Sequence, residues 1–251
     1  MTPDGIVGSG TLNHSRITYA KQAPNGRKLI APLTKVTSLE IMTSYVGQSL
    51  AIIDSKHRAV FYSHKTNGSQ KCRIYNDIDK TNKVNDYSSL GHCNGATYAE
   101  GSFYVCSYQG SRNTKKISVI DANTLKIKKT INAAVALSGI AYHKGQWVGS
   151  KGSNIYVFAD GKLKTYTKFK LKFTDGTPQD ICVHDSIIYV CRSYVSGKTS
   201  CIDTYDLKGG YIGSYTIPEN ELESMDIDEN GIIHYITWNA ARLVKTKEGV
   251  K

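Results

Sequence analysis

Apolar positions along the chain come in short runs broken by Asn-Gly, Asp-Gly, Gly-Gly and Lys-Gly pairs, and no segment sustains a 3.6-residue apolar stripe. Five stretches share one layout: an apolar triplet, a turn, and a second apolar strand. They run from Ala51-Ile52-Ile53 to Val60-Phe61-Tyr62, from Ala96-Thr97-Tyr98 to Phe103-Tyr104-Val105, and from Ile140-Ala141-Tyr142 to Gln146-Trp147-Val148. The last two run from Ile181-Cys182-Val183 to Ile188-Tyr189-Val190 and from Met225-Asp226-Ile227 to Ile233-His234-Tyr235. The triplets begin at 51, 96, 140, 181 and 225, so the steps are 45, 44, 41 and 44 residues. A period of this length, with room for four strands per unit, predicts the blades of a β-propeller.

Each unit goes on to a third strand that often ends in an acid, as at Asp121, Asp160 and Asp206, and then to a fourth, outer strand. The fifth unit has room for a third strand, Arg242-Leu243-Val244, and none for a fourth. An unpaired sheet edge is a liability, so the ring is expected to close with an N-terminal strand, for which Arg27-Lys28-Leu29-Ile30-Ala31 is the natural donor. The expected division is an N-terminal arm over residues 1–26 and an all-β, five-bladed β-propeller over 27–251. Pro218 to Glu223 is the one helix-like patch, and it is too short for more than a turn.

Composition supports this reading. The 251 residues are 40% hydrophobic and 21% charged, with 17 Tyr, 22 Gly and 5 Pro, which fits a globular β-rich chain and excludes full disorder. No apolar stretch is long enough for a membrane helix, so no membrane insertion is expected, and the first residues carry no secretory pattern. The formal charge is +11, from 32 Lys and Arg against 21 Asp and Glu. That surplus points to anionic partners.

Candidate chemistry sits two residues before the triplets, where Ser49, Asn94, Ser138, Gln179 and Glu223 are all polar. In a closed ring this register surrounds one mouth, so the set reads either as a ring of ligand-binding groups or as turn residues satisfying backbone groups. His92 and Asn94, two apart on an extended strand, face one side. Cys93 between them reads as a buried thiol rather than a nucleophile. Asp180, Glu223 and Asp226 offer oxygens for a cation, but no loop has calcium-loop spacing, and pairing with the basic surplus is expected instead. Trp238 is placed at a hairpin tip, either as a platform for a sugar ring or as a wedge between blades. Lys162, Lys164, Lys168, Lys170 and Lys172 cluster around an outer strand, where alternating lysines protect an edge or form a polyanion patch. Nucleic acid stays open as a partner. The seven histidines show no zinc spacing. The six cysteines lack a Cys-x-x-Cys pair and read as small buried residues of a protein folded in a reducing compartment, with a Cys191–Cys201 disulfide as an open alternative. With no Gly-rich phosphate loop and no nucleophile elbow, neither a cofactor nor a metal is expected.

Gly91-His92-Cys93-Asn94-Gly95-Ala96-Thr97-Tyr98 is similar to the Gly-His-x-Asn-x-x-Thr-Tyr blade opening of certain bacterial and phage propellers, and Pro178-Gln179-Asp180-Ile181 and Glu223-Ser224-Met225-Asp226-Ile227 fit later blades. From about residue 45 to 250 the chain resembles the five-bladed platforms of phage receptor-binding (tail) proteins and helveticin-type bacteriocin propellers. The resemblance implies a virion or released protein that binds an anionic cell-wall glycopolymer such as teichoic acid, with other virion proteins docking through the N-terminal arm. No trimerising stem or tower domain accompanies the propeller. The expected function is non-catalytic binding of a bacterial surface glycan by His92, Asn94, Ser138, Gln179, Glu223 and Trp238. The alternatives are a propeller enzyme (lactonase-, glutaminyl-cyclase- or glycan-processing-like) and a structural virion hub.

Overall fold

The computed structural model describes residues 25–250, except 41–43, 65–68, 77–79, 110–111, 196–198, 218, 220 and 239–241. The expected arm, up to residue 24, lies outside the described residues. Two strands come first, β1 (Leu29–Pro32) and β2 (Lys35–Glu40). Blade 1 follows as β3 (Tyr45–Ile52), β4 (His57–His64), β5 (Gln70–Asn76) and β6 (Lys80–Tyr87), and blade 2 as β7 (Gly95–Ala99), β8 (Ser102–Gln109), β9 (Arg112–Asp121) and β10 (Ile127–Asn132). Blade 3 holds β11 (Gly139–His143), β12 (Gln146–Lys151), β13 (Asn154–Phe158) and β14 (Tyr166–Lys170), and blade 4 holds β15 (Thr177–His184), β16 (Ile187–Val195), β17 (Thr199–Asp206) and β18 (Tyr211–Ile217). Blade 5 is β19 (Leu222–Ile227), β20 (Ile232–Thr237) and β21 (Arg242–Gly249), completed by β2. The molecule is an all-β, five-bladed propeller.

Turn chemistry explains the tight inner hairpins. The central pairs Glu100-Gly101, Lys144-Gly145 and Asp185-Ser186 all have positive φ at both positions, the conformation whose twist matches two antiparallel strands. The acids that end third strands are turn caps. Asp121 accepts the backbone N–H groups of Asn123 and Thr124, Asp160 those of Lys162, Lys164 and Thr165, and Asp206 those of Lys208 and Gly210.

Alternate residues of each strand face opposite neighbours, so the core is divided among the five wedges between blades. Phe61 and Phe103 meet between blades 1 and 2, and Ile117, Trp147 and Phe158 between blades 2 and 3. Val148 and Ile188 pack between blades 3 and 4, Ile202 and Ile233 between 4 and 5, and Leu50 and Ile236 between 5 and 1.

The ring does close with an N-terminal strand, but a later one than the sequence suggested. β2 pairs antiparallel with β21, with Ser38 opposite Val244 and Glu40 opposite Arg242. The segment from Arg27 belongs to blade 4 instead, where β1 runs parallel to β18 as a fifth strand. Two features hold it there. The Arg27 guanidinium bonds Asp175 and Asp203, both at 2.8 Å, and lies 4.1 Å from the Phe173 ring centroid. Gly213 leaves the space that Ile30 occupies, since a Cβ there would stand 2.5 Å from Ile30 Cγ1. Asp203 also takes Arg192 at 2.8 Å, so one fully buried carboxylate serves two guanidinium groups. Blade 5 is joined to blade 1 by a second buried chain. Arg58 Nε donates to His234 Nδ1 at 3.0 Å, and His234 Nε2 donates to Asp228 at 3.1 Å. Burial lowers the His234 pKa and keeps the ring neutral, so it can accept from Arg58.

All six cysteines are free and buried. Cys191 pairs with Ile202 and Arg192 with Cys201 across β16 and β17. That one-residue offset puts Cys191 and Cys201 on opposite faces of the sheet, which rules out the disulfide.

The two N-terminal strands make separable contributions. A chain starting at Lys35 loses β1 and its Arg27 ion pairs but keeps β2, and should stay monomeric with a lowered melting temperature. A chain starting after Glu40 loses the closing strand and should aggregate or unfold. Size-exclusion chromatography and thermal melts of both check this, and equal behaviour of the two would show that β2 does not close the ring.

Candidate functional site

The five inner strands β3, β7, β11, β15 and β19 each pack against the inner strands of both neighbouring blades. All begin at one end, here the upper mouth, and finish at the other, the lower mouth. Between the two mouths the axis is filled. Asp180 of β15 is 1% exposed; its Oδ2 accepts a hydrogen bond from Ser224 Oγ of β19 at 2.6 Å, and that hydroxyl accepts one from Leu50 N of β3 at 2.9 Å. On the other side its Oδ1 would be 3.0 Å from a Cβ on Gly95 and 2.8 Å from one on Gly139. One carboxyl therefore reaches, directly or through one hydroxyl, the inner strand of every blade. The axis is closed at this level, and each mouth is a separate surface.

The acids are not paired with basic side chains as expected. Asp180 is held by Ser224 and by the Ile181 N–H, and desolvation pushes its pKa well above the usual carboxylate range. Asp226 accepts from Ile52 N at 2.8 Å and Ile227 N at 2.9 Å and takes the Cys182 thiol at 3.1 Å; burial raises its pKa to about 6. Glu223 is half-buried, and its carboxyl makes no hydrogen bond among the described residues; burial, then the nearby Glu221, raises it to about 8. At neutral pH Glu223 is mainly protonated and can donate. Among the described residues no cluster of His, Cys, Asp or Glu is placed to hold a metal ion.

The proposed binding residues fall at the upper mouth in different states. His92 and Asn94 are half-buried, with Asn94 Nδ2 donating to His92 Nδ1 at 3.1 Å. Their contact comes from a turn and not from strand alternation, because Cys93 between them has φ +57°. Burial lowers the His92 pKa, so the ring is neutral and its proton resides on Nε2. Cys93 is fully buried, and desolvation raises its thiol pKa, which removes it as a nucleophile. Ser138 donates to Ser150 O at 3.1 Å within its own blade, the behaviour of a turn residue. Ser49 is fully buried and does not reach the mouth. Gln179 is half-buried in a bulge of β15, where the register shifts between Pro178 and Ile181, and its amide makes no hydrogen bond among the described residues. Glu223 sits in the matching bulge of β19, between Leu222 and Ser224. Bulges re-aim side chains away from the ladder, and here two in neighbouring blades each present an unpartnered polar group. Trp238 is 42% exposed, and its backbone N–H holds Glu221 O at 3.0 Å, which places it beside blade 5's contribution to this mouth.

The lower mouth was missed by sequence reasoning. The His143 and His184 rings lie 4.6 Å apart between centroids with their planes tilted by 46°, and Asp185 takes His143 Nε2 at 3.2 Å and Lys144 Nζ at 2.8 Å. These groups satisfy one another at a shallow surface depression between blades 3 and 4. The equivalent turn positions of His143 and His184 were the available signal.

No protein-family model and no curated protein matches the chain. Among solved structures it is similar to the glutaminyl cyclase of Myxococcus xanthus, with a TM-score of 0.67 and 14% identity, covering 87% of this chain and 97% of that one. It is also similar to the WD40 propeller domain of Doa1 (TM-score 0.49, 10% identity, 86% and 97% covered) and to BamB from Moraxella catarrhalis (0.41, 9%, 80% and 59%). At such identity the likeness to the cyclase establishes the propeller fold and nothing finer.

The packed axis and the neutral acids each have a measurable consequence. A Cβ on Gly95 would lie 2.6 Å from Gly139 Cα, so Gly95→Ala should destabilise the ring by about 1–3 kcal/mol in denaturant melts, as overpacking does; wild-type stability would show the axis to be open. The folded pKa of Glu223, about 8, lies above its unfolded value near 4. Its contribution to stability is therefore greatest below pH 4 and is lost as pH rises through 8. Wild type should lose stability steadily between pH 5 and 8 and level off above 8, and Glu223→Gln should show a shallower loss. An unchanged slope would mean that Glu223 is already ionised.

Proposed function

We propose that the propeller is a non-catalytic binding module whose upper mouth takes a glycan. The observation that carries this reading is the pair of bulged, unpartnered groups, Gln179 and the protonated Glu223, over a floor sealed by Asp180. An amide offers donors and an acceptor, and a neutral carboxyl offers a donor. With the half-buried His92–Asn94 pair and the exposed Trp238 ring they suit hydroxyl and amide groups on an apolar sugar face. A neutral Glu223 also removes the repulsion that an ionised acid would exert on an anionic ligand, and the +11 charge favours such ligands. In this reading the chain acts as the platform of a phage tail or bacteriocin-like protein at a bacterial cell wall carrying teichoic acid.

A second reading is favoured by one observation. A half-buried carboxyl titrating near 8 suits a general acid, so an enzyme on this scaffold is the competing class, and the cyclase of similar fold is one such chemistry. Glu223→Gln separates the two, because it would abolish turnover while leaving an amide at the mouth.

Asn94→Ala or Gln179→Ala should weaken binding to teichoic-acid-bearing wall fragments by about 1 kcal/mol, near fivefold, at both low and high salt. The assay compares fragments with and without the polymer. Wild-type affinity in both variants would move the site away from the upper mouth.

A further inference from the structure

The wedge between blades 5 and 1 joins the last blade to the first, and it has the least apolar filling. Among the described residues its core holds seven buried apolar side chains, against nine to thirteen in each of the other wedges. Polar links carry more of this join. Leu50 N donates to Ser224 Oγ at 2.9 Å, Ile52 N to Asp226 at 2.8 Å and Ser55 N to Glu229 at 3.0 Å. The fourth link is Arg58 Nε to His234 Nδ1. Neighbouring wedges are bridged through backbone carbonyls, Leu125 O between blades 1 and 2 and Leu163 O between blades 2 and 3. Those acceptors do not titrate, whereas the imidazole does.

Arg58 and His234 are both buried, at 1% and 0% exposure. A guanidinium can neither accept a hydrogen bond nor give up its proton, so the contact at 3.0 Å requires a bare Nδ1 on the ring. The rest of the guanidinium is committed, with Nη1 on Lys56 O at 3.2 Å and Nη2 on Ser55 O at 2.8 Å. The other ring nitrogen is committed to Asp228 at 3.1 Å. A second proton on the ring therefore has one place to go, Nδ1, where N–H would face N–H and two buried cations would meet. The other charged groups around the ring come from its neighbours. Asp226 of β19 and Lys245 of β21 stand directly opposite His234 in the sheet, and His184 of blade 4 lies near enough to Asp228 to feel its charge.

We propose that the Arg58–His234 contact is an acid-sensitive latch, broken by a second proton on His234 so that blades 5 and 1 can part. Burial, joined by Arg58 and Lys245 and opposed by Asp228, holds the ring below its ordinary value near 6.5. The proton therefore binds more tightly once the wedge has opened. Closure draws its full benefit from the neutral ring above about pH 6.5 and loses it as pH falls below that value. Asp226 acts in the other direction. Its value of about 6 in the closed wedge lies above the ordinary carboxylate range, so closure gains from its protonation as pH falls through 6. Asp226 thus masks part of the latch and has to be neutralised in a test. The latch is independent of what the upper mouth binds.

The test follows amide hydrogen exchange of the full chain without ligand at about pH 7.5 and about pH 5, corrected for the intrinsic effect of pH on exchange. The chain carries Asp226→Asn, which keeps an oxygen for Ile52 N and removes the opposing titration. Protection of β3, β4 and β20 should fall about tenfold or more at the lower pH, and that of β8 and β12 less than about threefold. Adding His234→Asn puts an amide oxygen in place of Nδ1 that takes up no proton, and the wedge should then lose less than about threefold. Adding Arg58→Gln instead provides an amide that can donate to the neutral ring or accept from the charged one, and it should flatten the response in the same way. This second variant keeps the test decisive where the first does not fold. Unchanged protection at the lower pH would overturn the latch. So would an equal loss in all five wedges, which is general acid unfolding, or a full loss that persists in the folded variant.

Discussion

The ring is organised around one buried carboxyl. Asp180 lies where five sheets converge, and its two oxygens take hydrogen bonds from its own strand and from Ser224, which in turn holds blade 1. Burial of such a group is costly unless its oxygens are bonded and its charge is disfavoured; here both oxygens accept hydrogen bonds, and desolvation raises its pKa well above the usual carboxylate range. Gly95 and Gly139 have no side chains because the carboxyl and the neighbouring backbone occupy their Cβ positions. Larger residues there would push the inner strands outward and open the axis. The separation of the two mouths therefore follows from one acid, one hydroxyl and two glycines.

The sheet edges are handled by different means. Blade 4 is capped by β1, pinned through Arg27 and the shared carboxylate Asp203, and blade 5 is completed by β2. Blades 2 and 3 end in β10 and β14, whose exposed lysines discourage another chain from pairing there.

The blade count was legible because every inner hairpin repeats an apolar triplet and a turn at a period in the forties. Turn pairs such as Glu100-Gly101 and Lys144-Gly145 announced their left-handed geometry directly. The closing strand was not legible. Lys35–Glu40 and Arg27–Ala31 are both short mixed segments, and what assigns the latter to blade 4 is Asp203 and Gly213, each more than 170 residues away. The mouth was only partly legible, since one register predicts five equivalent residues. Bulges at Gln179 and Glu223 re-aim two of them, while Ser49 is buried and Ser138 bonds within its own blade. Protonation of the acids was beyond reach, because it depends on desolvation by residues distant in sequence.

The pairing of β2 with β21 also has a kinetic side. These strands lie about two hundred residues apart, so the contact that completes blade 5 closes the longest loop in the described chain. Loop-closure entropy must be met before that pairing rewards it. During synthesis the β2 segment leaves the ribosome before any of the five blades and waits for the last one, with its backbone donors and acceptors unpaired. Blades 1 to 3, each built from consecutive hairpins, can form meanwhile. The late step of folding is then the joining of the ends, and a chaperone that shields a bare strand would act on β2.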